Sequence, residues 1–103
     1  MDDALHAIAE PHRRRILTLV RDGELTVGAI ASQFDVTRPA ISQHLKVLRE
    51  AGLVSERREG TRRYYRARPE ALRELRDFLA DFWDDRLVEL KAAAESEERL
   101  NRS

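Results

Sequence analysis

Apolar residues recur at helical spacing through the first half of the chain. Leu5, Ala7, Ile8 and Ala9 fit a short helix from Asp2 to Glu10. Pro11 interrupts it, and because proline is well tolerated in a first turn, a second helix is expected to start there. Ile16, Leu17, Leu19 and Val20 give that helix one buried face, and Asp22-Gly23 stops it. Thr26 can cap a third helix with Val27, Ile30, Ala31 and Phe34 on its apolar side. After the tight connection Asp35-Val36-Thr37, Thr37 can cap a fourth helix, with Pro39 in its first turn. Ile41, Leu45 and Leu48 form its buried stripe, and Gly52 supplies the stop.

The pattern then changes. Leu53–Arg58 and Arg62–Arg68 read as short strands, with Glu59-Gly60 as the turn signal between them. Both are charged, so the hairpin lies at an edge and projects into solvent. Pro69 and Glu70 open a long helix with apolar positions at Leu72, Leu75, Leu79, Phe82, Trp83, Leu87 and Leu90. The expected architecture is mainly α with a small β-hairpin, in the order α-α-α-α-β-β-α. A short helix, a tight turn and an amphipathic helix make a helix-turn-helix, and the basic hairpin after it makes a wing. Residues 1–95 are expected to form one domain and 96–103 a frayed tail. A chain of 103 residues suits one domain, near the low end for a self-sufficient core.

Charge adds a segregation that the zero net charge hides. Residues 1–35 carry four Lys/Arg against six Asp/Glu, residues 36–68 nine against three, and residues 69–103 six against ten. Charges more than about 8–10 Å apart are screened at physiological salt, so each segment meets its own partners. A basic middle between acidic ends points to a polyanion, with a solvated arginine-rich surface as the alternative. Hydrophobic residues make up 42% and charged residues 37%, which describes a globular, charge-rich chain rather than a disordered one. The absence of cysteine excludes disulfides and thiolate metal sites. No apolar run approaches membrane-spanning length, and the acidic N-terminus lacks a signal-peptide core. A cytoplasmic location without a membrane partner is expected.

On the Arg38–Ala51 helix, Pro39, Gln43, Lys46 and Glu50 lie opposite the apolar stripe, flanked by Arg38, Ser42 and Arg49. Arginine can pair bidentately with guanine, glutamine with adenine, and serine with bases or phosphates. Base contacts come mostly from the N-terminal part of such a helix. Arg38, Ser42 and Gln43 are therefore the candidates for base edges of double-stranded DNA, and Thr37 and Lys46 for phosphates. The positive helix N-terminus adds to the attraction. Ordinary exposed polar residues would look the same singly, but the adjoining basic hairpin would then be a second accident. His44 lies nearer the core edge. It is counted with the backbone candidates, and a hydrogen-bonded structural histidine or a metal ligand are its other readings. In the hairpin, Arg57, Arg58, Arg62 and Arg63 surround Gly60 and Thr61. A glycine tip allows close approach to a sugar-phosphate backbone. Alternation puts Tyr65 and Ala67 on the inward face and Tyr64 and Arg66 on the other, so Tyr64 either touches DNA or covers the wing.

The ordered run SQHLKVLREAGLVSERREGTRRYY, preceded by ALHAIAEPHRRRILTLV and LTVGAIASQFDVTRPAI, resembles the ArsR family of bacterial winged-helix repressors over roughly Ala4 to Leu90. The resemblance implies a homodimer on an imperfect palindrome in a promoter, blocking transcription by overlapping the polymerase site. It places the Arg38–Ala51 helices in successive major grooves and the wings, about Arg57–Arg66, on adjoining backbone or minor groove. It makes the first and last helices the dimer interface, here Leu5, Ile8, Leu75, Phe78, Leu79, Phe82, Trp83 and Leu87. The residues point the same way: a last helix of about 26 residues would span roughly 39 Å, long for one domain to cover. Phe78, Phe82 and Trp83 add aromatic area that a self-complementary helix pair would bury. Trp83 as intrachain core is the alternative.

The chain also departs from the family. Many members sense metals through a cysteine pair before the turn, where this chain reads ELTVGAIASQF without a thiol. Others use histidines on the last helix, which here has Asp77, Asp81, Asp84, Asp85 and Glu89 but no histidine. His6, His12 and His44 form no spaced pair on one helix. No metal site and no cofactor are expected, which fits the non-metal branch, whose effectors are mixed.

Two other function classes compete. A winged helix for protein–protein or RNA contact would not need Arg38, Ser42 and Gln43 on one exposed face. An enzyme would need a site, and the chain has no nucleophile elbow, P-loop or dinucleotide fingerprint. Its adjacent Asp84-Asp85 point to different sides of a helix.

Overall fold

The computed structural model describes the backbone of residues 1–101, and the side chains apart from those of 83–88 and 97–101. Five helices are α1 (Asp2–Ile8), α2 (Pro11–Leu19), α3 (Val27–Ala31), α4 (Arg38–Glu50) and α5 (Pro69–Asn101). Side-chain caps start the middle three. The Glu10 carboxylate accepts from the Arg13 amide at 3.0 Å, Thr26 Oγ1 from Ala29 at 3.1 Å, and Thr37 Oγ1 from Ala40 at 3.2 Å. Each satisfies an amide that a helix start leaves without an intrahelical partner.

Three strands form one antiparallel sheet: β1 (Leu25–Thr26), β2 (Val54–Glu59) and β3 (Arg62–Ala67), in spatial order β1-β3-β2. The hairpin is the expected wing. β1 is an addition to the expected α-α-α-α-β-β-α order. It pairs Leu25 with Tyr65 and Thr26 with Tyr64. Two residues are too few to show alternation, and Thr26 already reads as a helix cap, which it also is. Gly60 holds the first position of the two-residue wing loop at φ 62°, where type II′ loops take glycine.

The core gathers the predicted stripes. Ile16, Val20, Ile30, Ile41, Leu45, Leu48 and Leu53 are essentially fully buried, each contributing about 1.5–3 kcal/mol. Tyr65 and Ala67 join them from the inward face of β3. α4 ends in a Schellman motif: the Leu53 amide donates to Leu48 O at 3.0 Å and the Gly52 amide to Arg49 O at 2.9 Å, with Gly52 at φ 76°. The chain passes directly from there into β2. The base of the wing is pinned to the core by the Ala67 amide on Val20 O and the Arg68 amide on Leu53 O.

α5 is longer than expected, with 33 residues, about 50 Å. It continues to Asn101 with no break at the expected tail. Leu75 is only 6% exposed and belongs to this chain's own core, which removes it as free interface surface. Leu5, Ile8 and Leu79 are partly buried against the same core. Phe78 and Phe82 are exposed, 42% and 52%. The side chains of Trp83 and Leu87 lie outside the described residues.

Candidate nucleic-acid interface

The buried stripe of α4 dictates what its other side shows. Arg38, Ser42, Gln43 and Lys46 are all exposed. Between the start of α4 and the wing tip lies an open groove of about 670 Å³, with Arg38, Ser42, Thr61, Arg62 and Arg63 on its walls. A second groove of about 460 Å³ borders Gln43, Lys46, Arg49 and Arg63. Ser42 and Arg63 line both grooves, and among the described residues neither lining includes a carboxylate. Arg38, Ser42 and Gln43 thus share one concave basic surface with Thr61, Arg62 and Arg63 of the wing, whereas Arg57, Arg58, Gly60 and Tyr64 line neither groove. Thr37 caps α4 beside it and is exposed.

The wing arginines fall into two groups. Arg57 is held by Glu24 at 2.8 Å and Glu59 at 2.9 Å, and its guanidinium lies 4.5 Å from the Tyr64 ring centroid. Arg58 donates to Glu56 at 2.9 Å. By contrast Arg38, Lys46, Arg62 and Arg63 make no ion pair among the described residues. Tyr64 is half-buried under Arg57 and opposite Thr26, so it covers the wing. Gly60 and Thr61 are exposed at the tip.

Glu56 was not singled out in the sequence. Its carboxylate accepts from Arg58, from the Tyr65 hydroxyl at 3.0 Å and from Arg49 on α4. These donors hold its carboxyl down to about 2, Arg58 most strongly. Arg49 therefore braces α4 against the wing. The signal was present: alternation puts Glu56 on the side of Val54, and the hairpin register sets it opposite the inward Tyr65.

His44 does not face the grooves. Its side chain is 21% exposed and stacks on His12, ring centroids 5.6 Å apart and planes within 10°. Arg13 Nη1 lies 3.4 Å from His44 Nδ1. Burial lowers the His44 pKa, which favours the neutral ring. A phosphate contact by His44 is thus corrected to a packing position against α2. The histidines form no spaced pair on one helix, as expected, but folding brings His12 and His44 together with Glu10. His12 and His44 lie on different helices, so spacing within one helix could not reveal this.

Comparison with known proteins agrees with this geometry. Residues 10–56 match the family model described as bacterial regulatory protein, arsR family. The HTH-type transcriptional regulator Rv2034 of Mycobacterium tuberculosis is 44% identical over 96 residues, covering 93% of this chain and 90% of that protein. The chain belongs to the ArsR family. The transcriptional repressor SdpR of Bacillus subtilis is 35% identical over 82 residues, 80% of this chain and 91% of that one. A crystal structure described as a possible transcriptional regulator for arsenical resistance superposes with a TM-score of 0.75 at 50% identity, covering 84% of this chain and 93% of that one. This ArsR-family chain is therefore a transcriptional regulator with a winged helix-turn-helix fold, not an enzyme. Among the described residues no helix is long and apolar enough to cross a membrane.

Proposed function

We propose that this ArsR-family regulator is a cytoplasmic repressor that binds a palindromic promoter site as a homodimer. The basic surface formed by α4 and the wing tip, whose two grooves are lined by no carboxylate among the described residues, carries the reading. α4, about 20 Å long, fits a major groove about 12 Å wide. Arg38, Ser42 and Gln43 read base edges there, while Thr37, Lys46, Arg62 and Arg63 hold phosphates and set the register. Gly60 and Thr61 let the wing tip approach the sugar-phosphate backbone. Arg57, Arg58 and Tyr64 keep the wing in shape. Two copies joined along the exposed Phe78 and Phe82 face of α5, with α1 alongside, would present two such surfaces to one duplex.

Fluorescence anisotropy tests the reading. A duplex from the promoter of the protein's own gene and a scrambled duplex are each titrated at two salt concentrations. A preference of about a thousandfold or more for the promoter duplex is expected of a specific regulator. Weak, equal and steeply salt-dependent binding to promoter fragments and scrambled DNA alike would overturn sequence reading.

A further inference from the structure

Glu10, His12 and His44 converge from the cap of α2, its first turn and the middle of α4. One ligand atom from each lies within 4.8 Å of the others. We propose that these three side chains bind one divalent transition-metal ion of the zinc, nickel and cobalt class. The inference is independent of the DNA-binding reading.

Donor chemistry sets the class of ion. Two imidazoles and one carboxylate suit borderline transition metals, whereas calcium and magnesium take mostly oxygen ligands. Spacing agrees. A tetrahedral ion with bonds of about 2.0–2.2 Å holds its ligand atoms about 3.3 Å apart. Glu10 Oε1 is 2.9 Å from His12 Nδ1, and Glu10 Oε2 is 3.9 Å from His44 Nδ1. These distances lie on either side of that value but run to the two different carboxylate oxygens, of which Oε2 also accepts from the Arg13 amide at 3.0 Å, so a small turn of the Glu10 carboxylate is needed to bring one oxygen to both rings. The two rings are near parallel, so coordination needs a rotation about χ2 to converge their lone pairs. His12, 41% exposed, has room for it, and Glu10 at 30% leaves solvent access.

Arg13 is the cation that competes for the site. Its Nη1 meets His44 Nδ1 only at 3.4 Å, while its Nε donates to Ala7 O at 2.6 Å and its Nη2 to His6 O at 3.3 Å. It can release His44 and keep both carbonyls at the end of α1. Three protein ligands leave a fourth position for water. Because His44 belongs to α4, an ion held here ties α2 to the helix that carries Ser42 and Gln43.

The test uses the full chain, stripped with a chelator and titrated with cobalt(II) alone while its visible ligand-field bands are followed. Saturation at one ion per chain is expected, with zinc(II) abolishing the bands. Glu10→Gln, His12→Ala and His44→Gln should each weaken binding by about tenfold or more. His6→Ala, outside the cluster, should leave it unchanged. His12 is partly exposed, so His12→Ala is the variant whose fold circular dichroism should find intact. No saturable bands, binding that survives both His12→Ala and His44→Gln, or loss confined to His6→Ala would overturn the proposal. The cluster would then be purely structural.

Discussion

Arg57 is held by two carboxylates and a tyrosine ring, whereas Arg62, across the same hairpin tip, has no acidic partner among the described residues. A charge already neutralised by neighbours releases few counterions when a phosphate arrives. Arg62→Ala should therefore weaken binding to every duplex and reduce the slope of log affinity against log salt by about 1. Arg57→Ala should change that slope far less, since Glu24 and Glu59 already balance the guanidinium. Anisotropy titrations across a salt series distinguish the two, and equal slope changes would remove the distinction. Arg38→Ala should instead cost about 1–3 kcal/mol on the preferred site and relax the preference there. A loss of equal size on scrambled DNA would make Arg38 a phosphate contact. Residue types alone named these cations. Only the fold sorted them, because Glu24 lies far from Arg57 in sequence and meets it through strand pairing.

Between elements, the brace of Glu56 to Arg49 on α4 and to Tyr65 on β3 sets how the wing stands against α4. Its carboxyl is held at about 2 in the folded chain, below the ordinary 4.5, so the charged form is favoured by folding. That stability is fully present above about pH 4.5 and is lost as pH falls toward 2. Glu56→Gln lacks this pH-dependent contribution. The gap between the thermal midpoints of the parent and of Glu56→Gln should be widest near neutral pH and close on acidification; a gap independent of pH would refute the brace. At the end of α4, Gly52 at φ 76° has ordinary space around it, with Arg68 Nη1 3.6 Å from where a Cβ would stand. The cost of Gly52→Ala is thus backbone strain, about 1 kcal/mol or more. Differential scanning calorimetry should show a midpoint about 4–8 °C lower, and an unchanged midpoint would contradict the strain. Caps and glycines made these element ends readable in the sequence. Thr26, Thr37 and Gly52 act locally, so a few neighbouring residues suffice to place them. β1 and the His12–His44 stack were not readable, because each exists only through a partner many residues away.

The whole molecule is elongated, 71 Å by 29 Å by 22 Å, with a radius of gyration of 18.8 Å, against about 13 Å for a compact chain of this length. A 33-residue helix outruns the core that Leu72, Leu75 and Leu79 pack against. Beside and beyond them, Phe78, Phe82 and Leu90 stay exposed. Isolated exposed apolar residues are ordinary, but Phe78 and Phe82 lie four apart on one helix and so share a face. A second copy related by a two-fold axis would cover that face and bring its own α4 to the next turn of a duplex. In the double variant Phe78→Asp with Phe82→Asp, no core side chain is lost, so circular dichroism should be unchanged. Light scattering should show the parent chain as a dimer and the variant as a monomer. The variant should also lose affinity for a duplex with both half-sites while keeping its affinity for a single half-site, because each α4 and wing is intact. A variant that remains dimeric would place the interface elsewhere. One that loses half-site binding as well would tie α5 to the DNA surface itself rather than to pairing.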